Sequence, residues 1–301
     1  MSELTAHLIR AGFPGDAPTT RLGGLTNVNH LVEHEGERFV LRIPGAGTGE
    51  YIDRVAEEVA ARAAADAGVN AAVVVFDASD GLMVTRFVEG AVTMDAGRFD
   101  DLGAVARAGE AFRRLHTTAT PFATDFRLFG MIDEYKVLLA GKGAPLPDGY
   151  DALRTRADAT RAALERACRP VVPSHCDPLC ENFLDTGERM YVIDYEYAGN
   201  NDPMWDLGDL SVEGGFTQAQ DDALLGAYFG GQPPASEVGR MVAYKAMCDL
   251  LWTLWGAIQH VNDNPAEDFW AYASHRFERC SALMSTARYA EHVEAVDTAA
   301  R

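Results

Sequence analysis

Basic residues are scarce in this sequence: 26 Lys and Arg stand against 45 Asp and Glu, which gives 301 residues a formal net charge of −19. Nucleic-acid binding depends on cations that neutralise phosphates, so this balance argues against a nucleic-acid partner. The acidic field would attract a cationic small molecule, but acidity that simply keeps a protein soluble is the more common explanation.

Long apolar runs and paired cysteines are also lacking. No stretch approaches the roughly 18 to 20 apolar residues that span a membrane, and residues 1–20 lack the basic and apolar regions of a signal peptide. The five cysteines form no Cys-x-x-Cys pair, which argues against a disulfide framework and a zinc site. We therefore expect a cytoplasmic protein without a membrane partner; the oligomeric state is not indicated.

The remaining composition, 48% hydrophobic and 24% charged residues, is typical of an ordered globular protein. The length exceeds the size at which one core usually suffices, so two lobes are expected. Residues 1–89 are predicted as the first lobe because strands dominate its pattern. Its predicted order is strands in 21–43, a helix over 50–67, and strands at 73–76 and 82–88.

Residues 90–301 are predicted as a second, mostly helical lobe, because apolar residues recur there at helical spacing. Two short apolar runs, Val171-Val172 and 190–193, interrupt the helices and read as strands. The strongest chemical signal of the chain lies around these two runs.

Four polar residues in this region have the spacing of a kinase catalytic loop. His175, Asp177 and Asn182 follow the pattern His-x-Asp-x-x-x-x-Asn, and an apolar run delivers Asp194 twelve residues after Asn182. Phosphoryl transfer needs a carboxylate to orient and deprotonate the attacking hydroxyl, and amide and carboxylate oxygens to bind Mg²⁺. We assign these roles to Asp177, Asn182 and Asp194 in that order, and expect His175 to hold the loop by hydrogen bonds.

The segment from His175 to Glu213 resembles the choline/ethanolamine kinase family, within the larger group that contains aminoglycoside phosphotransferases. The resemblance is carried by Ile193-Asp194-Tyr195-Glu196-Tyr197-Ala198-Gly199-Asn200-Asn201-Asp202-Pro203 and by Trp205-Asp206-Leu207-Gly208; it extends more weakly over 21–277. It implies an α+β, protein-kinase-like fold with an antiparallel-sheet N-terminal lobe, ATP and Mg²⁺ as cofactors, and an amino alcohol as substrate. It also implies that Asp206 braces the catalytic loop.

The nucleotide side is expected in the first lobe. Gly24, Thr26 and Asn27 lie between two predicted strands and resemble the short phosphate loop of the family, although an ordinary tight turn would look the same. Main-chain groups near Thr85 and Phe87, at the end of the last strand, are expected to line the adenine.

Arg42 lies fifteen residues after Asn27, where protein kinases have a lysine. Choline kinases also tend to carry arginine there, and a planar guanidinium can grip a phosphate as a fork. Glu57 on the following helix is the predicted partner of Arg42, with Glu58 as the second choice.

Aromatic residues on one predicted helix point to a cationic acceptor. A quaternary ammonium has no N–H to donate, so aromatic faces and distant carboxylates must bind it. Trp252 and Trp255 are three residues apart and share a helical face, which is more often plain core. The pair resembles the choline kinase pocket, as does Tyr272.

Glu196, Tyr197 and Glu213 are expected to complete the acceptor site together with Asp177. We predict choline as the acceptor in preference to ethanolamine. Two alternatives remain open: an aminoglycoside phosphotransferase type of kinase acting on another amino alcohol, and a pseudokinase that binds nucleotide as a sensor.

Overall fold

The computed structural model describes residues 2–23, 27–45 and 52–299. Its first lobe is built on an antiparallel sheet of five strands in the order β1-β2-β3-β5-β4. The strands are β1 (Thr19–Arg21), β2 (Val28–His34), β3 (Glu37–Ile43), β4 (Val73–Asp77) and β5 (Leu82–Arg86). The β2–β3 hairpin turns at Glu35 and Gly36, which both have positive φ.

Two helices flank this sheet. Helix α1 (Glu3–Arg10) is capped by Ser2, and its Leu8 joins a small core with residues of β2, β3 and β5. Helix α2 (Arg54–Asp66) is capped by Asp53, whose side chain accepts from two backbone N–H groups. Alanines of α2 pack into the larger core, so this helix connects the sheet to the second lobe.

The second lobe is mostly helical, and α8 runs through its centre against α4, α6, α9 and α10. Its helices are α3 (Leu102–Thr118), α4 (Leu128–Lys142), α5 (Tyr150–Arg166), α6 (Pro203–Glu213), α7 (Gln218–Phe229), α8 (Ala235–Val261), α9 (Phe269–Met284) and α10 (Ala287–Thr298). A Cβ on Gly208 would lie 2.9 Å from the carbonyl oxygen of Met241, so this glycine lets α6 approach α8 closely.

Short strands between the helices carry the loops of interest. They are β6 (Val92–Thr93), β7 (Val172–Ser174), β8 (Phe183–Asp185), β9 (Met190–Val192) and β10 (Gly199–Asn201). Strands β6, β8 and β9 form one antiparallel sheet, and β7 pairs with β10 so that Ser174 lies opposite Gly199. The segments after β7 and after β9 are thereby held side by side.

The predicted α+β, protein-kinase-like arrangement is confirmed, while element ends differ. The helix expected over 50–67 begins at Arg54 among the described residues, and the strand expected over 82–88 ends at Arg86. Helix α1 and the short strands β6, β8 and β10 were not predicted. The boundary between residues 89 and 90 stays a prediction. Among the described residues, no helix combines the length and apolar character needed to cross a bilayer.

Candidate active site

The loop that follows β7 carries Asp177 and ends in a short helical turn at Asn182. The side-chain amide of Asn182 donates to the carbonyl oxygen of Asp177 at 3.1 Å, which closes the loop on itself. The backbone carbonyl of Asn182 accepts from the N–H of Ile193 at 2.9 Å. The hairpin pairing of β8 with β9 therefore brings Asn182 beside Asp194, as their spacing in the sequence required.

Asp206 on α6 braces the start of this loop. Its carboxylate accepts from the backbone N–H groups of His175 at 2.7 Å and Cys176 at 2.9 Å, and from Nε2 of His116 at 3.0 Å. Cys176 has a φ of 68°, a left-handed conformation that is unfavourable for a residue with a Cβ. The two backbone hydrogen bonds to a buried carboxylate hold this strained position in place.

His175 is fully buried and holds the loop against the strand that delivers Asp194. Its Nε2 donates to the carbonyl of Ile193 at 2.8 Å, and its Nδ1 accepts from the N–H of Asp177 at 3.4 Å. Burial lowers the pKa of His175 and so favours the neutral ring that this pattern requires. Both contacts are those of a structural residue.

Asp177 lies in an acidic environment. Burial raises its pKa to about 8, and the negative charges of Glu213 and Asp194 act in the same direction, with Arg276 partly opposing them. A carboxylate with a pKa near the working pH is suited to act as a general base.

Asp194 is the second residue with unusual backbone geometry, with a φ of 70°. Burial and then the charge of Glu196 raise its pKa to about 7, while Arg42 opposes them. Strained non-glycine residues cluster at functional sites, because only a strongly determined surrounding structure maintains them. Cys176 follows His175 and Asp194 follows Ile193, and His175 donates to the carbonyl of Ile193, so the two strained residues lie at one contact between the loop and the segment after β9.

Arg42 on β3 is buried and forms an ion pair with Glu57 of α2. Its Nη2 lies 2.5 Å from Oε1 of Glu57, and its Nη1 lies 3.5 Å from Oδ1 of Asp194. The structure thus selects Glu57 as the partner, while Glu58 pairs with Arg62 on the surface. Arg42 links the sheet, α2 and the segment after β9 that carries Asp194.

The carboxylate of Glu196 contacts two buried arginines, Arg54 and Arg42. Its Oε1 lies 2.8 Å from Nη1 of Arg54 and 3.5 Å from Nη1 of Arg42, and it accepts from the side-chain amide of Asn27 at 3.0 Å. This places the carboxylate against residues of the first lobe, although Glu196 was expected in the acceptor site.

A cluster of oxygen donors near Asp194 fits a hard divalent cation. Carboxylate oxygens of Glu57, Asp194 and Glu196 lie within 4.8 Å of one another. Asn182 uses its amide nitrogen in the loop, which leaves its side-chain oxygen as a further donor. Oxygen donors of this kind are the ligands that Mg²⁺ prefers. Burial and then the charge of Glu196 raise the pKa of Asp194, and a bound cation would favour its ionised form.

Aromatic rings of α8 and α9 form a connected set with Tyr197. Trp252 and Trp255 are 6.2 Å apart between centroids, Trp252 contacts Tyr197 at 6.0 Å, and Trp255 contacts Tyr272 at 5.7 Å, all edge to face. Phe269 adds a fifth ring to this set, 5.5 Å from Trp255. The structure therefore brings together the predicted aromatic residues.

Glu213 lies close to this set but is paired. Its Oε1 lies 2.6 Å from Nη2 of Arg276, and the guanidinium of Arg276 lies 4.8 Å from the ring centroid of Tyr272. Arg276 also contacts Asp249 at 3.3 Å, and Arg279 holds Asp249 at 2.6 Å. The negative charge of Glu213 is thus partly neutralised by a buried arginine.

Some main-chain groups of the residues expected near the adenine already pair with β3. Thr85 is paired with Val40 on β3, and the N–H of Phe87 donates to the carbonyl of Arg38 at 3.0 Å. The ring of Phe87 lies under the guanidinium of Arg38 at 4.6 Å. Gly24 and Thr26, assigned to the phosphate loop, lie outside the described residues.

Three residues of the site escaped the sequence reasoning: Arg54, Arg276 and His116. Arg54 precedes Glu57 by three residues on one helix, a spacing that signals an ion pair. Arg276 lies on α9, and its partners Glu213 and Asp249 lie on two other helices, α6 and α8. His116 lies near the C-terminal end of α3, and its contact with Asp206 depends on the packing of α3 against α6, which a sequence pattern does not show.

Together, the kinase-type loop, the paired cation on β3 and the acidic cluster define a phosphotransferase of the kinase type. The model of the phosphotransferase enzyme family matches residues 19–242. A choline/ethanolamine kinase family protein from Mesorhizobium loti is 52% identical, with a TM-score of 0.89 over 98% of this chain and 97% of that one. The chain therefore belongs to the phosphotransferase enzyme family and, within it, to the choline/ethanolamine kinase family.

Two more distant relatives agree with this placement. The choline kinase LicA from Streptococcus pneumoniae is 27% identical, with a TM-score of 0.75 over 89% of this chain and 93% of that one. Protein LicA from Haemophilus influenzae is 29% identical over 275 residues, which covers 89% of this chain and 80% of the relative.

Proposed function

We propose that this protein transfers the γ-phosphoryl group of ATP to the hydroxyl of choline, with Asp177 as the general base. The observation that carries the proposal is the position of Asp177. Asn182 donates to its carbonyl oxygen, and the charges of Glu213, Asp194 and Arg276 act on its carboxylate. Arg276 in turn contacts the ring of Tyr272 in the aromatic set. The neighbour described as a choline kinase, LicA from Streptococcus pneumoniae, supports the same acceptor.

The nucleotide would bind between the sheet and the loop of Asp177. Arg42 presents a guanidinium beside Asp194, and Asn27 lies close enough to Glu196 to border the same space. Gly24 and Thr26 are proposed to contact phosphate oxygens, and main-chain groups near Thr85 and Phe87 to border the adenine.

Asn182 and Asp194 are the residues that would hold Mg²⁺. The ion, when bound, neutralises charge on the phosphate oxygens and so lowers the barrier to phosphoryl transfer. Glu57 and Glu196 lie beside Asp194 and complete the acidic surroundings.

Asp177 would accept the proton of the choline hydroxyl as the choline oxygen attacks the γ-phosphorus. The bond from that phosphorus to the β–γ bridging oxygen breaks, which gives phosphocholine and ADP. A pKa of about 8 leaves a fraction of Asp177 ionised at neutral pH, and an approaching cationic acceptor favours the ionised form. His175 and Asp206 keep this carboxylate in position.

The trimethylammonium group would lie among the rings of Tyr197, Trp252, Trp255 and Tyr272. One aromatic face contributes about 0.5 to 2 kcal/mol to the binding of a cation. Glu213 adds a carboxylate, although its pairing with Arg276 reduces the net charge that the acceptor meets. Rings that cannot accept several N–H groups suit a methylated ammonium better than ethanolamine.

The two alternative functions are less well supported. An acceptor with many ammonium groups, as in aminoglycosides, would need several carboxylates, whereas the proposed pocket is mainly aromatic. A sensor without turnover would not need Asp177, Asn182 and Asp194 in one place. A cytoplasmic location and the absence of nucleic-acid and membrane partners stay predictions from the sequence.

The proposal is tested by an acceptor screen with Mg·ATP, in which ADP release and the phosphorylated product are both measured. Choline, ethanolamine, thiamine, homoserine and kanamycin are compared at equal concentration. We expect phosphocholine to form with the highest kcat/KM. Preferred phosphorylation of kanamycin, or nucleotide binding without turnover of any acceptor, would overturn the proposal.

A further inference from the structure

Arg54, the first residue of α2, is a buried cation that the proposed chemistry leaves unassigned. Its side chain is 4% exposed, and its Nη1 lies 2.6 Å from Oε2 of Glu57 and 2.8 Å from Oε1 of Glu196. One guanidinium nitrogen therefore bridges a carboxylate on its own helix and one that follows the strand of Asp194. The two carboxylates are far apart in the sequence, at positions 57 and 196.

The bridge belongs to a closed chain of ion pairs. Glu57 uses its other oxygen, Oε1, to bind Arg42, and Arg42 in turn reaches Asp194 and Glu196 at 3.5 Å each. Two arginines thus face three carboxylates. If Arg54 were removed, Arg42 would be the remaining arginine partner of Glu57 and Glu196 among the described residues. Repulsion among the acids would then rise in a region of low exposure.

The absence of a side chain at Gly81 leaves space for the guanidinium of Arg54. A Cβ on Gly81, in the turn between β4 and β5, would lie 2.5 Å from Nε of Arg54. The carbonyl oxygen of the same glycine accepts from Nη2 of Arg42 at 3.0 Å. One turn therefore positions both guanidinium groups against the acidic cluster.

We propose that Arg54 is a positioning residue for the proposed Mg·ATP site around Asp194. It holds the carboxylate of Glu196 beside Asp194 and away from the aromatic set. It also fixes Glu57, so that Arg42 is correctly oriented. The inference rests on the proposed function in one respect, the assignment of the Asp194 side to Mg·ATP. The proposal explains why Glu196, although it precedes Tyr197 of the aromatic set, contacts Arg54 and Arg42.

The test compares Arg54→Met with Arg62→Met, the same substitution on the same helix. Arg62 pairs with Glu58 at 2.9 Å and donates to the carbonyl oxygen of Val73. Within the described part of the chain it contacts none of the proposed site residues. Binding of Mg·ADP is measured by titration calorimetry, and KM values are measured for ATP and for choline. Arg54→Met should weaken Mg·ADP binding by about tenfold or more, which corresponds to about 1.4 kcal/mol, and raise the KM for ATP while the KM for choline stays near that of the wild type. Arg62→Met should change none of these.

A double-mutant cycle with Glu196→Gln shows whether Arg54 acts through Glu196. Residues that act through one contact give combined effects smaller than the sum of the single effects. If Arg54→Met fails to fold, Arg54→Lys and Glu196→Gln are compared by the same binding measurement, with lysine expected to retain part of the Mg·ADP affinity.

Unchanged Mg·ADP binding in Arg54→Met, equal rises in both KM values, or fully additive effects with Glu196→Gln would overturn the inference. The proposed function fails by a different result: wild-type protein that binds Mg·ADP but phosphorylates no choline. The Arg54 variants are still judged by Mg·ADP binding in that case, so the two failures are separable.

Discussion

Replacement of Asp206 by asparagine should loosen the loop that carries Asp177. The carboxylate of Asp206 is fully buried and accepts three hydrogen bonds, from the backbone N–H groups of His175 and Cys176 and from His116. Asparagine keeps one oxygen and turns an NH₂ group toward the remaining donors. At least one buried N–H of the loop then has no acceptor.

The size of the effect follows from these contacts. A hydrogen bond to a charged group contributes about 1.5 to 3 kcal/mol, and a buried donor left without an acceptor costs about 1 to 3 kcal/mol. With the strained φ of Cys176 less well supported, we expect Asp206→Asn to lower the free energy of unfolding by about 2 to 4 kcal/mol. The kcat for phosphoryl transfer should fall more than the KM for choline changes, because the aromatic set does not contact Asp206.

Urea unfolding and steady-state kinetics measure the two effects. Asp151→Asn is the matched control, because Asp151 forms an exposed pair with Lys136 and such pairs contribute about 0 to 1 kcal/mol. Equal stability of Asp206→Asn and Asp151→Asn would refute the bracing role. A loss of stability with an unchanged kcat would show that the loop does not depend on Asp206.

Two further predictions concern the acceptor side. Trp255→Ala should raise the KM for choline about tenfold if one ring contributes about 1.4 kcal/mol. The control is Trp270→Ala, because Trp270 lies on α9 beside His260, and this variant should leave the KM for choline unchanged. Similar KM values for both variants would contradict binding of choline by the aromatic set. Glu213→Gln removes a negative charge that raises the pKa of Asp177, so the acidic limb of the kcat/KM profile for choline, measured at saturating Mg·ATP, should move to lower pH. An unmoved limb would separate Glu213 from the titration of Asp177.

The parts of the site that lie close together in the sequence could be predicted from it. Residues His175, Asp177 and Asn182 belong to one loop, and a single hairpin brings Asp194 to them, so spacing alone specified their proximity. The pairing of Arg42 with Glu57 was predictable for a related reason, because one strand and the next helix determine it.

The contacts that depend on distant segments could not be predicted. Arg54 and Glu196 meet only because α2 packs near the segment after β9, and a sequence pattern does not show which acid a buried arginine selects. The same holds for Arg276, which joins Glu213 on α6 to Asp249 on α8. Helix α1 was missed because its eight residues are too few for a clear periodic pattern.

The most direct test of the account is the rate of phosphocholine formation by wild type and by Asp177→Asn at saturating Mg·ATP. Asparagine keeps the shape of the side chain but cannot accept the proton, so kcat should fall by about 10²- to 10⁴-fold, while Mg·ADP binding persists. Asp151→Asn serves again as the control and should match the wild type. A kcat in Asp177→Asn equal to that of the control would contradict the assignment of Asp177 as the base.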